Sequence, residues 1–229
     1  MTELLYLEDP YLREFDATVV AVDATAVALD RTAFYPGGGG QPADTGHLGD
    51  TRVTKVFKDE QGHVWHVVDD PAGIAPAVQG TIDWDRRHLL MRTHMALHLV
   101  NAVAWIDYGA RVTGANMEPG SGRVDLHLEA MSKQFGEEVE RRINEYVDRD
   151  LRIETVFVRR SEADDGIFRG RASSIPDTED PIRTLVIEGL DRQACSGTHV
   201  ASTKEIGSIK VTKTESKGRA NKRVKIELV

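Results

Sequence analysis

The stretch "DWDRRHLLMRTHMALHLVNAVAWIDY", residues 83–108, contains no proline and no glycine, and the next helix breaker is Gly109. About six helical turns fit into that span, with Asp85 as the expected N-cap. Leu90, His94, Leu97, His98, Asn101 and Trp105 recur at helical spacing and predict one continuous side. A helix this long must be covered by other elements, and the chain differs in character on its two sides.

Before it, residues 1–84 read as β structure. "TVVAVDATAVALDRTAF" is a pair of β-branched runs joined at "DATA", "TRVTKVFKDEQGHVWHVV" turns at "DEQG", and "PAVQGTIDW" is one more strand. Short strands separated by Gly, Pro and Asp predict a small β-barrel or sandwich. After the long helix, "EEVERRINEYVDRD" predicts a second one from about Ser132 to Asp150, with Glu137 paired to Arg141 and Glu138 to Arg142. Strands follow at "RIETVFV", "TLVIEGL", "GSIKVTKTES" and "KRVKIELV", the last two joined at "KGRAN". Helices on an antiparallel sheet make this second part α+β. The expected organisation is an N-terminal β-barrel-like domain over 1–86 and an α+β domain over 87–229.

Hydrophobic residues make up 40% and charged residues 29% of the 229, which places the chain among ordinary globular proteins and excludes a disordered one. One cysteine, Cys195, excludes an internal disulfide framework. No basic-then-apolar leader opens the chain and no run reaches membrane-span length, so a cytoplasmic location without membrane contact is expected. The net charge of −8 is unevenly spread: residues 204–229 carry +5 and the remainder −13. Such a basic segment is a footprint that an anionic polymer could find, or else a solvated face.

His94 and His98 stand four apart, so both imidazoles project from one side of a helix about one turn apart. "ACSGTHV" adds Cys195 and His199 at the same spacing. Two histidines plus a cysteine and a histidine match zinc in number and type, and one zinc per chain is expected. Four protein ligands close a tetrahedral site. If His199 lies off the metal, a coordination position opens and His199 becomes a candidate general base.

"RTAFYPGGGGQPADTGHL" holds four consecutive glycines followed by Gln41. A run of unencumbered backbone N–H groups can cradle a phosphate, a carboxylate or a developing oxyanion, with the Gln41 amide at its edge. The competing reading is a hairpin turn.

These four motifs, in this order, resemble the free-standing alanyl-tRNA editing proteins, the AlaX family, relatives of the editing domain of alanyl-tRNA synthetase. The matching text is "TAFYPGGGGQPADTGHL", "DWDRRHLLMRTHMALHLV", "CSGTHV" and "STKEIGSIKVTKTESKGRANKRVKIEL". It runs from about residue 30 to the end, and the glycine segment ahead of the helix matches the medium-length form. The resemblance implies hydrolysis of a wrongly attached amino acid, serine and in this form also glycine, from tRNA(Ala). It places the zinc ligands at His94, His98, Cys195 and His199 and the glycine-motif glutamine at Gln41. Gly38 and Gly39 would then line the substrate, with Lys210, Lys213 and Arg223 on the acceptor end of the tRNA.

Two positions depart from the family. Met95 stands where Thr or Ser is common beside the first metal histidine, and Ser196 where the synthetase domain has glycine. Both bear on amino-acid preference, and Met95 is a candidate substrate contact. Other readings are a zinc-stabilised tRNA-binding module without catalysis, a deacylase acting on Ser-tRNA(Thr), and a zinc hydrolase of small esters or amides. The sequence leaves the oligomeric state open, with a monomer as the expectation.

Overall fold

A computed structural model describes residues 1–164, 166–168 and 180–229, in two compact units, Met1–Leu90 and Met91–Val229. In the first unit, strands β1 (Glu3–Leu4), β2 (Glu14–Val22), β3 (Ala26–Leu29), β4 (Arg31–Thr32), β5 (Gly46–Leu48), β6 (Thr51–Lys58), β7 (Val64–Val68) and β8 (Ala77–Ile82) appear in order. Six of them close into an antiparallel barrel in the order β2-β3-β7-β6-β5-β8. Alternation drives the closure: Phe15 and Ala17 on β2, and Val64, His66 and Val68 on β7, all turn inward. With Leu29, Phe34 and Leu48 they fill the interior, and closure leaves these six strands without a free edge.

The long helix, α1, spans Trp84–Tyr108, and the boundary between the two units falls inside it. It begins two residues earlier than an Asp85 cap implies. The Asp83 carbonyl accepts from Arg87 N–H and opens the helix, so Asp85 lies in its first turn and is not the cap. The Asp83 carboxylate is held by Arg52 and Thr45. Burial extends beyond the side marked by Leu90, His94, Leu97 and His98. Met91, Met95, Leu99, Val100 and Val103 are buried along with Leu90, His94 and Leu97, so the middle of α1 is core on nearly every side, while Ile106 and Asp107 near its end are exposed.

The second unit adds β9 (Arg111–Glu118), β10 (Ser121–His127), α2 (Phe135–Asp148), β11 (Ile153–Val158), β12 (Ile182–Ile187), β13 (Asp191–Ala194), β14 (Ile209–Gly218) and β15 (Asn221–Leu228). They form a four-stranded antiparallel sheet, β14-β15-β10-β9, and a three-stranded one, β11-β12-β13. The β9–β10 hairpin and β13 are elements that the sequence patterns did not single out. Helix α1 packs closely on β10: a Cβ on Gly122 would come within 3.0 Å of the Leu97 side chain, and Thr93 Oγ1 accepts from Gly120 N–H at 3.0 Å.

Helix α2 is shorter than expected, and its arginines pair differently. Arg141 bonds Glu145 and Arg142 reaches Asp107 at 2.9 Å, whereas pairs with Glu137 and Glu138 were anticipated. Its other face serves the edge strand β14. Asn144 bonds both N–H and C=O of Ile209, and Glu140 accepts from Val211 N–H at 2.8 Å. Exposed backbone on a sheet edge is thereby satisfied by side chains of a helix.

Candidate metal centre and glycine loop

The sequence-spaced pairs meet. His94 and His98 project from α1, while Cys195 follows the end of β13 and His199 lies in the loop beyond it. One donor atom from each of the four lies within 4.8 Å of every other. Cys195 Sγ is 3.6 Å from His94 Nε2 and 3.3 Å from His199 Nε2. A tetrahedral zinc with bond lengths of about 2.0–2.3 Å spaces its donors about 3.3–3.6 Å apart, so the arrangement suits that ion. All three imidazoles are buried, and His98 Nε2 and His199 Nδ1 have no hydrogen-bond partner. A buried polar atom without a partner is costly unless something binds it.

Electrostatics point the same way. Burial pushes the Cys195 thiol up, but the surrounding imidazoles outweigh it and hold the thiol well below its ordinary range. Burial pushes His199 down to about 3. At His98, burial also acts downward, but Cys195 and Gln193 overcome it and the net shift is upward. A thiolate among imidazoles is the ligand form that a soft or borderline cation needs.

The loop carrying Cys195 is shaped by Arg183 on β12. Its guanidinium donates to the carbonyls of Cys195 at 2.8 Å and Gly197 at 3.0 Å, and to Thr155 Oγ1 at 3.2 Å. Gln193, two residues before Cys195 on β13, is buried and bonded to His98. Neither residue was a candidate on sequence grounds, because neither belongs to a recognisable ligand spacing. The available signal was the alternation of Gln193 and Cys195 at a strand end, which turns both to one side.

In the first unit the glycine stretch is a tight turn. Gly38 and Gln41 exchange backbone hydrogen bonds at 3.0 and 2.9 Å, across Gly39 and Gly40 with φ of +59° and +92°. Two positive φ values in the centre make a type I′ turn, and Gly37 (+84°) and Gly38 (+140°) also occupy positive φ. The loop base is pinned. Asp44 accepts from Tyr35 N–H at 2.6 Å and forms a buried ion pair with Arg87, whose guanidinium also reaches the carbonyls of Ala33 (2.5 Å) and Pro10 (3.0 Å). Gly38 and Gly39 are exposed, whereas Gln41 is buried and does not stand at the loop's outer edge. Met95, beside His94 on α1, is fully buried.

The basic residues Lys210, Lys213 and Arg223 lie on β14 and β15. Cross-strand register puts them on one face of the four-stranded sheet, opposite Glu227, Lys225 and Glu215, with Arg123 of β10 opposite Lys225. Two carboxylates organise this face: Asp125 pairs with Arg223 and Arg123, and Glu215 with Lys213 and Lys217. The flanking lysines hold the Glu215 carboxyl down at about 2. A depression of about 240 Å³, lined in part by Asn116, Arg123, Thr212 and Lys225, opens there.

Residues 182–225 match the family described as threonyl and alanyl tRNA synthetase second additional domain, and residues 7–86 match tRNA synthetases class II (A). An alanyl-tRNA editing protein AlaX-M of Saccharolobus solfataricus is 40% identical over 98% of both chains. The chain belongs to the AlaX-M family of alanyl-tRNA editing proteins. A second member, from Methanosarcina mazei, is 37% identical over all of this chain and 97% of its own length. An alanine–tRNA ligase of Methanococcus maripaludis is 39% identical over 93% of this chain, which corresponds to 24% of the ligase. Among the described residues, no helix is long and apolar enough to cross a membrane.

Proposed function

We propose that this chain is an aminoacyl-tRNA deacylase that edits mischarged tRNA(Ala) in trans, with Ser-tRNA(Ala) and Gly-tRNA(Ala) as substrates and one zinc ion held by His94, His98, Cys195 and His199. Membership of the AlaX-M family supports the substrate class. The observation that carries the metal reading is the convergence of four donors, with His98 Nε2 buried and partnerless beside them.

The reaction breaks the ester between the amino-acid carbonyl and a terminal ribose oxygen. Water adds to the carbonyl and the ribose hydroxyl leaves with a proton. When bound, zinc supplies Lewis-acid polarisation and a positive charge opposite the developing oxyanion. His199, held near 3 by burial, is a poor match for taking a proton near neutrality and suits the role of ligand. Gln41 and the amides of Gly38 and Gly39 contribute hydrogen bonding to the ester or ribose. Met95 bears on the choice between serine and glycine. Lys210, Lys213 and Arg223 take phosphates of the acceptor end.

One observation favours a second reading. Four side-chain donors fill a tetrahedral shell, as in structural zinc sites, so the metal could serve folding alone. Deacylation of Ser-, Gly- and Ala-tRNA(Ala) by wild type, Cys195→Ala and His199→Ala, with metal content measured in parallel, decides between them. The proposal expects release of serine and glycine by wild type, and loss of both metal and activity in Cys195→Ala. A metal-loaded wild type that protects the ester instead of cleaving it establishes the binding-module reading.

A further inference from the structure

We infer that Gln193 is a positioning residue that fixes His98 as its Nδ1–H tautomer and thereby presents a bare Nε2 to the metal. The inference rests on the reading that the four-residue cluster holds a metal.

The argument starts from the amide. Gln193 Nε2 is 3.0 Å from the His98 carbonyl oxygen and 2.6 Å from Asp191 Oδ2. Both are acceptors, so this end of the side chain must be the NH2 group. The other end is therefore the carbonyl oxygen. It lies 2.8 Å from His98 Nδ1 and 2.5 Å from Asn101 Nδ2. A carbonyl oxygen can only accept, so His98 Nδ1 carries the hydrogen in this contact. In the neutral ring the lone pair is then on Nε2, the nitrogen of His98 that is buried without a partner.

Both amide hydrogens and two acceptor sites of Gln193 are thus occupied, in a side chain only 3% exposed. Rotating the amide by half a turn would set its NH2 against Asn101 and His98 Nδ1, and its oxygen against a carboxylate and a carbonyl. The oxygen would then face two groups that can only accept, the His98 carbonyl and the Asp191 carboxylate, and these two contacts set the orientation. Gln193 bonds the ring and the backbone carbonyl of the same histidine, which also fixes the placement of His98 relative to β13. An outer-shell partner of this kind raises the basicity of a ligand and restricts its orientation, and its loss typically costs about 10- to 100-fold in metal affinity.

The test uses the full chain with 15N-labelled histidine. In the metal-free protein, long-range 1H–15N correlation reads the tautomer of His98 directly. Competition of zinc against a chelator reads affinity separately. Wild type should show His98 as the Nδ1–H form. Gln193→Leu, which keeps bulk and removes the acceptor, should shift it towards Nε2–H and weaken zinc about 10- to 100-fold. The double variant Gln193→Glu, Asp191→Asn keeps an acceptor at Nδ1 and a donor beside it but sets a carboxylate oxygen against the His98 carbonyl, so it should keep the Nδ1–H tautomer and recover only part of the affinity. If Gln193→Leu fails to fold, the double variant carries the test alone. Persistence of Nδ1–H in a folded Gln193→Leu with affinity within twofold of wild type overturns the inference, as does an Nε2–H ring in a folded double variant. Absence of zinc binding by a wild type that shows the Nδ1–H form removes the metal reading and leaves the tautomer assignment standing.

Discussion

At the scale of single residues, the barrel interior contains one group whose titration reaches stability. His66 sits between Val64 and Val68 on β7, with Nδ1 3.3 Å from the Val27 carbonyl, Nε2 2.9 Å from Thr32 Oγ1, and its ring edge-to-face with Phe34. Burial pushes it down to about 4, against an ordinary 6.5. The folded barrel therefore keeps this ring neutral where the unfolded chain would protonate it. Stability is full above 6.5, falls as pH drops from there towards 4, and levels off once the folded form also titrates. At about 1.4 kcal/mol per pH unit, the loss is about 3 kcal/mol. Gln can offer the same donor and acceptor without titrating. Urea unfolding of wild type and His66→Gln should show the difference between them shifting by about 3 kcal/mol between about pH 7 and pH 4. Parallel curves across that range would mean that His66 takes a proton inside the barrel at little cost.

At the scale of elements, long or strongly periodic segments were legible in the sequence and segments defined by partners were not. The α1 span was readable because it lacks breakers, and the hairpins β2–β3, β6–β7 and β14–β15 because turn residues separate β-branched runs. The β9–β10 hairpin escaped notice since "RVTGANMEPGSGRVDLH" interrupts its apolar residues with glycines and charges, and its pairing depends on α1 and β15 as neighbours. The clustering of His94, His98, Cys195 and His199 was readable from spacing, whereas Gln193 and Arg183 act through groups far away in sequence. The glycine loop shows both limits. Its type I′ turn explains Gly39 and Gly40, and a turn is one of the two roles weighed for it. The proposed contribution to deacylation makes a separate prediction. Gln41→Ala should lower the rate about 100- to 1,000-fold with metal content unchanged. Gly39→Ala meets nothing within 4 Å but must hold φ at +59°, so it should cost about 1–2 kcal/mol of stability. A thermal scan beside the deacylation assay separates these effects. A Gln41→Ala protein that works at the wild-type rate would falsify the loop's part in the reaction and leave it a turn.

At the scale of the whole molecule, the chain carries −8, yet its proposed partner is a polyanion. Long-range repulsion from the summed charge would oppose binding, so affinity must come from a local face that the remaining surface does not cancel. The outer face of β14-β15-β10 has that character. It gathers Lys210, Lys213, Lys225, Arg223 and Arg123, with Asp125 and Glu215 fixing the positions of several of them. Fixed cations give up little side-chain freedom on meeting phosphates, and each phosphate engaged releases counterions, so binding should weaken steeply with salt. Replacing Lys210, Lys213 and Arg223 together by Ala should flatten the slope of log affinity against log salt by about one unit for each phosphate no longer engaged. Asp125 keeps Arg123 in the variant, so the sheet is not left with an unpaired carboxylate there. Cleavage of a minimal aminoacyl ester, which has no phosphates to offer, should change far less than cleavage of intact Ser-tRNA(Ala). The informative measurement is therefore the pair of slopes, from binding of tRNA(Ala) at several salt concentrations by wild type and the triple variant. Equal slopes would return this face to the role of a solvated surface and move the search for the RNA-binding face elsewhere on the chain.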